Sequence, residues 1–229
     1  MRFLIGLCGC LLAIPLLAGT MEEELGVTPL AAVENEAPLI IFISGDGGWV
    51  KLDKSVGSLL QQQGFPVIGW SSLTYYWKKK SPQQATTDLL RILDVYLPRW
   101  HRQRWALVGY SFGAEIVPFV INRLPSRYRE QLVGGVMLSP TTSSDFEIHL
   151  SDMLSSNNQG HYLTLPEVAR IRDIPLLCVD GEDEPATAQL CPQAKQDNVT
   201  LIRLPGGHHY NDDYARLAEL IQHQFQQTP

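Results

Sequence analysis

The sequence predicts an α/β fold in which a mainly parallel sheet of about six strands carries helices on both faces. Short apolar runs recur along the chain, and segments with helical periodicity separate them. Parallel strands need such crossover helices, and strands that are covered on both faces consist almost entirely of apolar residues. The length of 229 residues and the hydrophobic content of 45% suffice for a single core. We expect one domain without a large lid.

The amino-terminal region differs from the rest of the chain. Residues 1–20 are typical of a cleaved export signal, because one positive charge precedes an apolar stretch that ends in small residues. The short span and Pro15 disfavour a retained membrane anchor. Residues 21–37 are acidic, contain proline and lack a clear period, which predicts a linker. The folded domain would then span residues 38–229 of a periplasmic protein.

Each predicted element has its own signal. Apolar runs predict strands at residues 38–43, 65–70, 105–110, 132–138, 174–179 and 199–204. Short helices are expected at residues 53–63 and after Ser111. The longest helix would begin at Pro82, since proline favours the first helical position, and would run to about Trp100 with one apolar face.

The segment from Trp105 to Ile116 carries the strongest functional signal. An apolar strand breaks there into a helix at a Gly-x-Ser-x-Gly motif centred on Ser111. Such a turn holds the serine on a strained backbone, clear of the sheet, as the nucleophile of acyl-transfer hydrolases. The next N–H, that of Phe112, lies at a helix N-terminus, where it can meet a developing oxyanion. The motif alone is a weak signal, so its context decides.

The turns after three other strands supply that context. A glycine-rich turn at residues 44–49 follows the first strand and would supply the second oxyanion donor, the N–H of Asp46 or Gly47. An acidic turn at residues 180–184 follows the fifth strand, and a Gly-Gly-His-His turn at 206–209 follows the sixth. The order serine, acid, histidine, each at a strand end, is that of the α/β-hydrolase fold. The sequence therefore predicts that fold.

The base and the acid of this triad each have two candidates. We favour His208 over His209, because His208 directly follows the glycine pair, where the chain must turn back toward the serine. We lean to Asp183 over Glu184 for its shorter side chain, although the spacing of Glu184 from Gly181 also fits. The acid must accept the histidine N–H and hold its tautomer, which either carboxylate can do. Both choices stay open.

Metal binding is the competing interpretation of the histidine turn. His208 or His209 could join Asp212 and Asp213 around an ion, but no His-x-x-x-His or Cys-x-x-Cys pairing supports it. We expect neither a metal nor a cofactor. A formal net charge of -6 also argues against a nucleic-acid partner.

Two cysteines are left once the export signal is removed. Cys178 and Cys191 bracket the acidic turn, and an oxidising compartment would join them in a disulfide. Two buried free thiols are the alternative. A bridge at this place would clamp the loop that presents Asp183 and Glu184 to the histidine.

Two segments are candidates for substrate recognition. Residues 75–82 interleave aromatic side chains, including Tyr76 and Trp77, with three lysines, a composition that suits an interfacial lipid or a phosphate headgroup. An ordinary solvated loop is the alternative. Residues 145–150 alternate between apolar and polar side chains. The carboxylates of Asp145 and Glu147 could therefore bind an aminoacyl ammonium.

The motifs at residues 44–49, 109–115, 145–149 and 206–209, with the cysteine bracket, together resemble the bacterial virulence protein VirJ/AcvB family. The resemblance covers the chain from residue 38 to its end. It implies an exported, periplasmic serine hydrolase. Longer relatives are associated with hydrolysis of lysyl-phosphatidylglycerol, and others with virulence and type IV secretion. We expect this chain to correspond to the catalytic domain of the longer forms.

These expectations combine into a serine esterase. Ser111 would attack, His208 would act as general base and then acid, and Asp183 or Glu184 would orient the histidine. The resemblance makes an aminoacylated phospholipid such as lysyl-phosphatidylglycerol the expected substrate, with contact to a membrane surface. A non-catalytic periplasmic adaptor that binds secretion-system components on a hydrolase scaffold is the alternative, since fold does not fix function.

Overall fold

The computed structural model describes residues 19–148, 160–185 and 189–226. Nearly all of the expected export signal, and His149 of the resemblance motif, lie outside the described residues. Within these ranges, the strands are β1 (Val27–Leu30), β2 (Leu39–Ile43), β3 (Val67–Trp70), β4 (Trp105–Tyr110), β5 (Leu132–Leu138), β6 (Ser143–Ser144), β7 (Tyr162–Leu163), β8 (Leu176–Gly181) and β9 (Val199–Leu204). The helices are α1 (Met21–Leu25), α2 (Lys51–Gln62), α3 (Ser72–Tyr75), α4 (Pro82–Arg99), α5 (Phe112–Ile121), α6 (Ser126–Gln131), α7 (Thr164–Arg170) and α8 (Tyr214–Gln226).

The main sheet has seven strands and is mainly parallel, which confirms the predicted fold class. Its strand order is β1-β3-β2-β4-β5-β8-β9. Neighbouring strands run parallel except for β1, which pairs antiparallel with β3. The six predicted strands correspond to β2, β3, β4, β5, β8 and β9. β6 and β7 pair antiparallel in a separate small sheet.

The expected linker at residues 21–37 is corrected by α1 and β1, which form within it. Thr20 caps α1, whose first turn is acidic, as the helix dipole favours. Leu25 is buried, and its carbonyl accepts a hydrogen bond from the Trp70 indole. β1 lies at the sheet edge, where Pro29 is tolerated. An edge strand of four residues with only one buried residue leaves almost no apolar signal.

The helices cover both faces of the main sheet. α2 and α8 pack together on one face, and α4, α5 and α7 lie on the other. Strand residues alternate between the two cores, because successive side chains of a strand point to opposite faces. In β2, Ile41 belongs to the core under α4 and α5, whereas Ile40 and Phe42 belong to the core under α2 and α8. α4 begins at Pro82, as predicted.

The parallel strands have their carboxyl ends along the same side of the sheet, here named the strand-end edge. The turns that follow β2, β4, β5, β8 and β9 therefore lie at this strand-end edge. A disulfide joins Cys178 in β8 to Cys191 in a short 3₁₀ turn, with Cα atoms 5.5 Å apart, as the cysteine spacing predicted. It closes the loop that follows the acidic turn. In the part of the chain that is described, no helix is long and apolar enough to cross a membrane.

Candidate active site

Ser111 lies at a sharp turn between β4 and α5. Its φ of 52° and ψ of -119° form a backbone conformation that costs energy for a residue with a side chain. The glycines of the motif are sterically required. A Cβ on Gly109 would lie 2.3 Å from the Gly113 oxygen, and one on Gly113 would lie 2.2 Å from the Ile43 oxygen. The motif therefore forms the strained turn on which hydrolases present a nucleophile.

The turn after β9 brings one of its two imidazoles to the serine. His208 Nε2 lies 2.8 Å from Ser111 Oγ, within the range that general-base catalysis needs. His209 turns away, and its Nδ1 lies 3.0 Å from the Tyr110 hydroxyl. The same hydroxyl donates to the His208 carbonyl at 3.2 Å. Tyr110, the residue before the serine, thus holds both histidines in place.

Glu184 is the acid that reaches the histidine. Its Oε1 lies 3.2 Å from His208 Nδ1. Asp183, the residue that the sequence favoured, is exposed and donates its backbone N–H to the Gly206 carbonyl. The reason is the turn after β8, which closes with a hydrogen bond of 3.3 Å from the Glu184 N–H to the Gly181 carbonyl. This turn directs its fourth residue, and not its third, toward the histidine.

Two residues outside the predicted set hold Glu184 in place. Ser139 Oγ donates to Glu184 Oε1 at 2.5 Å and lies 2.6 Å from the Tyr210 hydroxyl, which also donates to the Val179 carbonyl. Burial raises the pKa of Glu184, but hydrogen bonds from His208 and Ser139 outweigh burial and lower that pKa below its ordinary value. The carboxylate is therefore ionised at neutral pH. Ser139 directly follows β5, so its place at a strand end was its only sequence signal.

The two turns that carry the predicted oxyanion donors, those after β2 and β4, approach each other at Ser111. The Phe112 N–H begins α5 directly after the serine. The turn after β2 passes close to the same place, since a Cβ on Gly45 would lie 3.6 Å from the Ser111 Cβ. Within the described residues, no hydrogen bond occupies the N–H groups of Phe112, Asp46 or Gly47. The Phe112 amide and an amide of the turn are thus able to bind an oxyanion.

The aromatic pair expected to contact substrate divides between core and surface. Trp77 is exposed, but Tyr76 is fully buried, which corrects its expected role as a substrate contact. The Tyr76 ring packs instead against Phe112 and Phe146, at centroid distances of 5.0 and 6.0 Å. Adjacent residues of a loop can face opposite ways, and their composition does not show which one is buried. Tyr76 therefore supports the side chain of Phe112, the residue whose N–H is the predicted oxyanion donor.

The alternation predicted after β6 is present over residues 145–148, and the remaining two residues of the predicted segment lie outside the described residues. Phe146 and Ile148 are buried, whereas Asp145 and Glu147 are half-buried. Asp145 accepts hydrogen bonds from the backbone N–H and the ring Nδ1 of His161, at 2.8 and 2.5 Å. Burial raises the pKa of Asp145, but the His161 contacts outweigh burial and lower that pKa. Asp145 therefore ties the segments on either side of the small sheet together.

Two further carboxyl groups are buried near the strand ends. Glu115 on α5 accepts a hydrogen bond of 2.5 Å from Thr141, and burial raises its pKa to about 8. Asp180 lies in β8, where burial and the nearby Glu184 charge raise its pKa to about 7. Among the described residues, neither Asp180 oxygen has a hydrogen-bond partner. At neutral pH the Glu115 carboxyl group is therefore mostly protonated, and the Asp180 carboxyl group exchanges between its protonated and ionised forms.

The residues that were considered for a metal site have other contacts. His208 and His209 bond to Ser111 and Tyr110, and Asp212 forms a salt bridge with Lys51. Across residues 19–148, 160–185 and 189–226, no group of three or more His, Cys, Asp or Glu side chains is placed to hold a metal ion.

A family model described as bacterial virulence protein (VirJ) matches residues 37–228. This match covers most of the chain and includes Ser111, Glu184 and His208. The chain belongs to the VirJ family. The resemblance inferred from the motifs is thereby confirmed. Among curated proteins, no sequence matches this VirJ-family chain.

Several solved structures share the fold of this VirJ-family protein. Est1E from Butyrivibrio proteoclasticus is 16% identical with a TM-score of 0.64, and the match covers 88% of this chain and 94% of that one. A dienelactone hydrolase from Anabaena variabilis is 13% identical with a TM-score of 0.65, covering 88% and 91%. A proline iminopeptidase from Mycobacterium smegmatis is 13% identical with a TM-score of 0.60, covering 87% and 95%. At these identities the likeness establishes the fold and no substrate.

Proposed function

We propose that this VirJ-family protein is a serine hydrolase that cleaves carboxylic esters. The observation that carries the proposal is the chain of hydrogen bonds from Glu184 through His208 to Ser111, at 3.2 and 2.8 Å. The strained serine turn, the ionised carboxylate and the unoccupied amides give each group the state that acyl transfer needs. The α/β-hydrolase fold supports the proposal, because it carries such groups at these strand ends.

The proposed reaction begins when Ser111 Oγ attacks the ester carbonyl carbon and His208 Nε2 takes the serine proton. Glu184 accepts the Nδ1–H bond, which fixes the tautomer and stabilises the imidazolium. The new oxyanion accepts hydrogen bonds from the Phe112 N–H and from an N–H of the turn at Asp46 and Gly47. The imidazolium then protonates the leaving alcohol. Water, deprotonated by the imidazole, attacks the acyl-enzyme and frees the serine.

Replacement of the nucleophile tests the reaction class. Ser111→Ala should abolish ester hydrolysis and labelling by a fluorophosphonate probe, because no other group can form the acyl-enzyme; the loss of turnover should reach several orders of magnitude. Labelling is read by intact-protein mass spectrometry, with thermal melting as the control for folding. Labelling that persists in the variant would exclude Ser111. A wild-type protein that takes no label would favour the adaptor function.

A matched pair of variants tests the base. His208→Ala should reduce turnover of a soluble ester far more than His209→Ala, because only His208 lies within hydrogen-bond reach of Ser111. Both variants remove the same number of atoms from neighbouring positions. Initial rates at saturating ester give the comparison. The reverse ranking would move the base by one residue.

We propose that the acyl donor is an aminoacylated phospholipid such as lysyl-phosphatidylglycerol. The support is chemical: Asp145 and Glu147 offer carboxylates at the strand-end edge, and an ammonium forms strong charge-assisted hydrogen bonds with carboxylates. Because Asp145 forms an ion pair with His161, replacing Glu147 tests ammonium binding without breaking that pair. Lys78 and Lys79 lie in the segment whose composition suits a phosphate headgroup.

Substrate charge separates this proposal from general esterase activity. Glu147→Gln should raise the KM for a lysyl ester much more than the KM for a neutral acyl ester of the same length. Glu130→Gln, which changes an exposed acid on α6, is the control. Equal effects of Glu147→Gln on both esters would contradict ammonium recognition. Lipid extracts of cells with and without the gene, compared by mass spectrometry, identify the acyl donor itself.

We also propose that the protein is exported to the periplasm. The support is the charge and apolar pattern of residues 1–20 and the cysteine pair that an oxidising compartment would join. Amino-terminal sequencing of the protein purified from cells should then begin near residue 20. A purified protein that still begins at Met1, with Cys178 and Cys191 as free thiols, would contradict export.

A further inference from the structure

Exposed apolar side chains gather at the edge of the sheet that carries the candidate active site. Six large hydrophobic side chains are exposed in the described residues, and three of them lie at this edge: Val50 is 49% exposed, Trp77 54% and Leu163 55%. Val50 follows the turn after β2, Trp77 lies in the loop after β3, and Leu163 ends β7. The hydrogen-bonded triad uses none of them.

Trp77 and Leu163 share one aromatic support. The Phe146 ring lies between the rings of Tyr76 and Tyr162, at centroid distances of 6.0 and 5.1 Å. Trp77 and Leu163 directly follow those two residues in the chain, and both are exposed while their neighbours pack inward. The two exposed apolar residues therefore flank the same aromatic cluster in the chain.

The loop that carries Trp77 is also positively charged. Lys78 and Lys79 directly follow Trp77 and are exposed. Within the described residues, no salt bridge involves either lysine. The next residue fastens the loop, since the Lys80 N–H donates to the Phe146 carbonyl at 3.0 Å and its ammonium lies 4.6 Å from the Tyr75 ring centroid. Two exposed cations beside an exposed indole give this loop a charge opposite to the net charge of -6.

We propose that Trp77, Lys78, Lys79 and Leu163, here named the Trp77 patch, dock this protein on the surface of an anionic lipid bilayer. An indole settles at the level of the lipid headgroups, and each lysine is attracted to anionic lipids. Leu163 adds apolar area to the contact. The charge of the patch complements an anionic bilayer. Two lysines and two apolar side chains form a shallow anchor, so the docking is reversible and weakens with salt.

Docking through the Trp77 patch would turn the strand-end edge, with Ser111, toward the lipid headgroups. Tyr76, the neighbour of Trp77 in the chain, connects the patch to the serine turn. Its ring packs on the ring of Phe112, with the two centroids 5.0 Å apart. The proposal concerns where the protein sits and does not depend on the ester that it cleaves. It can therefore be tested in the Ser111→Ala background, in which the failure of the esterase proposal has no effect.

Vesicle cosedimentation tests the docking. Ser111→Ala protein should bind phosphatidylglycerol vesicles in preference to phosphatidylcholine vesicles, and the preference should decrease with salt. Adding Lys79→Gln and Leu163→Ser should weaken phosphatidylglycerol binding by about tenfold. The matched control adds Lys195→Gln and Leu201→Ser, which remove one exposed lysine and one exposed leucine elsewhere. All forms share the same amino terminus, so the difference isolates the patch. Equal binding of the two variants overturns the proposal, as does a Ser111→Ala protein that binds no phosphatidylglycerol vesicle.

Fluorescence quenching tests the orientation. Brominated phosphatidylglycerol should quench part of the tryptophan emission when vesicles are added, and Trp77→Phe should remove that quenching while the other four tryptophans still emit. Thermal melting controls for folding of every variant. Quenching of the same size in Trp77→Phe would show that another surface meets the bilayer and would overturn the proposal.

Discussion

Glu184 illustrates how the reach of one side chain decides the geometry of a site. The turns that carry the acid and the histidine touch each other, since a Cβ on Gly181 would lie 2.4 Å from the Gly207 oxygen. The acidic turn therefore has no room to advance its backbone toward His208. The extra methylene of Glu184 lets its carboxylate reach His208, and Ser139 donates a hydrogen bond to the same carboxylate oxygen. The acid was ambiguous in the sequence because this crossing involves residues far apart in the chain.

Amide variants of the two acids form the prediction at the residue scale. Glu184→Gln should reduce kcat by roughly 10³- to 10⁴-fold, because an amide in this place favours the wrong histidine tautomer. Asp183→Asn should change kcat by less than about twofold, since Asp183 is exposed. Steady-state rates on a soluble ester give both values. Equal losses in the two variants would mean that the carboxylate acts elsewhere.

At the scale of elements, α1 and β1 extend the folded domain toward the amino terminus. Leu25 is 2% exposed, and its carbonyl accepts the Trp70 indole. Leu25→Ala should lower the free energy of unfolding by about 2 to 5 kcal/mol, as truncation of a buried leucine does. Val33→Ala is the matched control, since Val33 is exposed, and it should cost less than about 0.5 kcal/mol. Urea denaturation measures both. Near-zero effects for both would restore the linker interpretation.

The disulfide belongs to the same scale, because it closes the loop after β8. Gln189 in that loop donates to the carbonyls of Glu184 and Gly181, at 2.9 and 3.2 Å. The double variant Cys178→Ser, Cys191→Ser should lose about 2 to 4 kcal/mol of stability, mainly through the unfolded state. Activity should fall before global unfolding, because the loop that positions Glu184 loosens first. Activity and circular dichroism followed during reduction test this order. Full activity with unchanged melting would exclude the clamp.

For the whole molecule, buried carboxyl groups link stability to pH. Burial raises the pKa of Glu115 to about 8 from an ordinary 4.5, and burial with the Glu184 charge raises that of Asp180 to about 7 from 3.8. At a pH between the ordinary and the raised pKa of either carboxyl group, that group is protonated in the folded state and ionised in the unfolded state. The free energy of unfolding therefore falls as pH rises through this window, by up to about 1.4 kcal/mol per unit for each group, and levels off above pH 8.

Glu115→Gln tests this linkage. The variant should lose part of the decline in stability between pH 5 and pH 8, because a neutral amide has no proton to release. Denaturant titrations across that range measure the slope, and Glu130→Gln, an exposed acid, should leave it unchanged. A wild-type protein whose stability rises from pH 5 to pH 8 would contradict the assignment.

The sequence determined those parts of the molecule whose signals are local. Five predicted strands, β2, β3, β4, β5 and β8, are buried throughout and leave continuous apolar runs. β9 lies at the sheet edge and is only partly buried, but four of its six residues are apolar. The serine turn was recognisable because Gly109 and Gly113 have no room for a Cβ. β1 was missed because a short edge strand buries little. Glu184 and Tyr76 depended on the direction of a side chain after a turn, which contacts distant in the chain decide.

Phe112 has a consequence for how this protein can change during evolution. Its backbone N–H, the proposed oxyanion donor, directly follows Ser111, while its ring packs on Tyr76 in the loop that also carries Trp77. Mutations that adapt the loop to a new substrate therefore also disturb a donor that sets turnover. Selection for substrate specificity and selection for turnover therefore both act through the Phe112 ring. Libraries of variants in this loop should show changes in kcat and KM together.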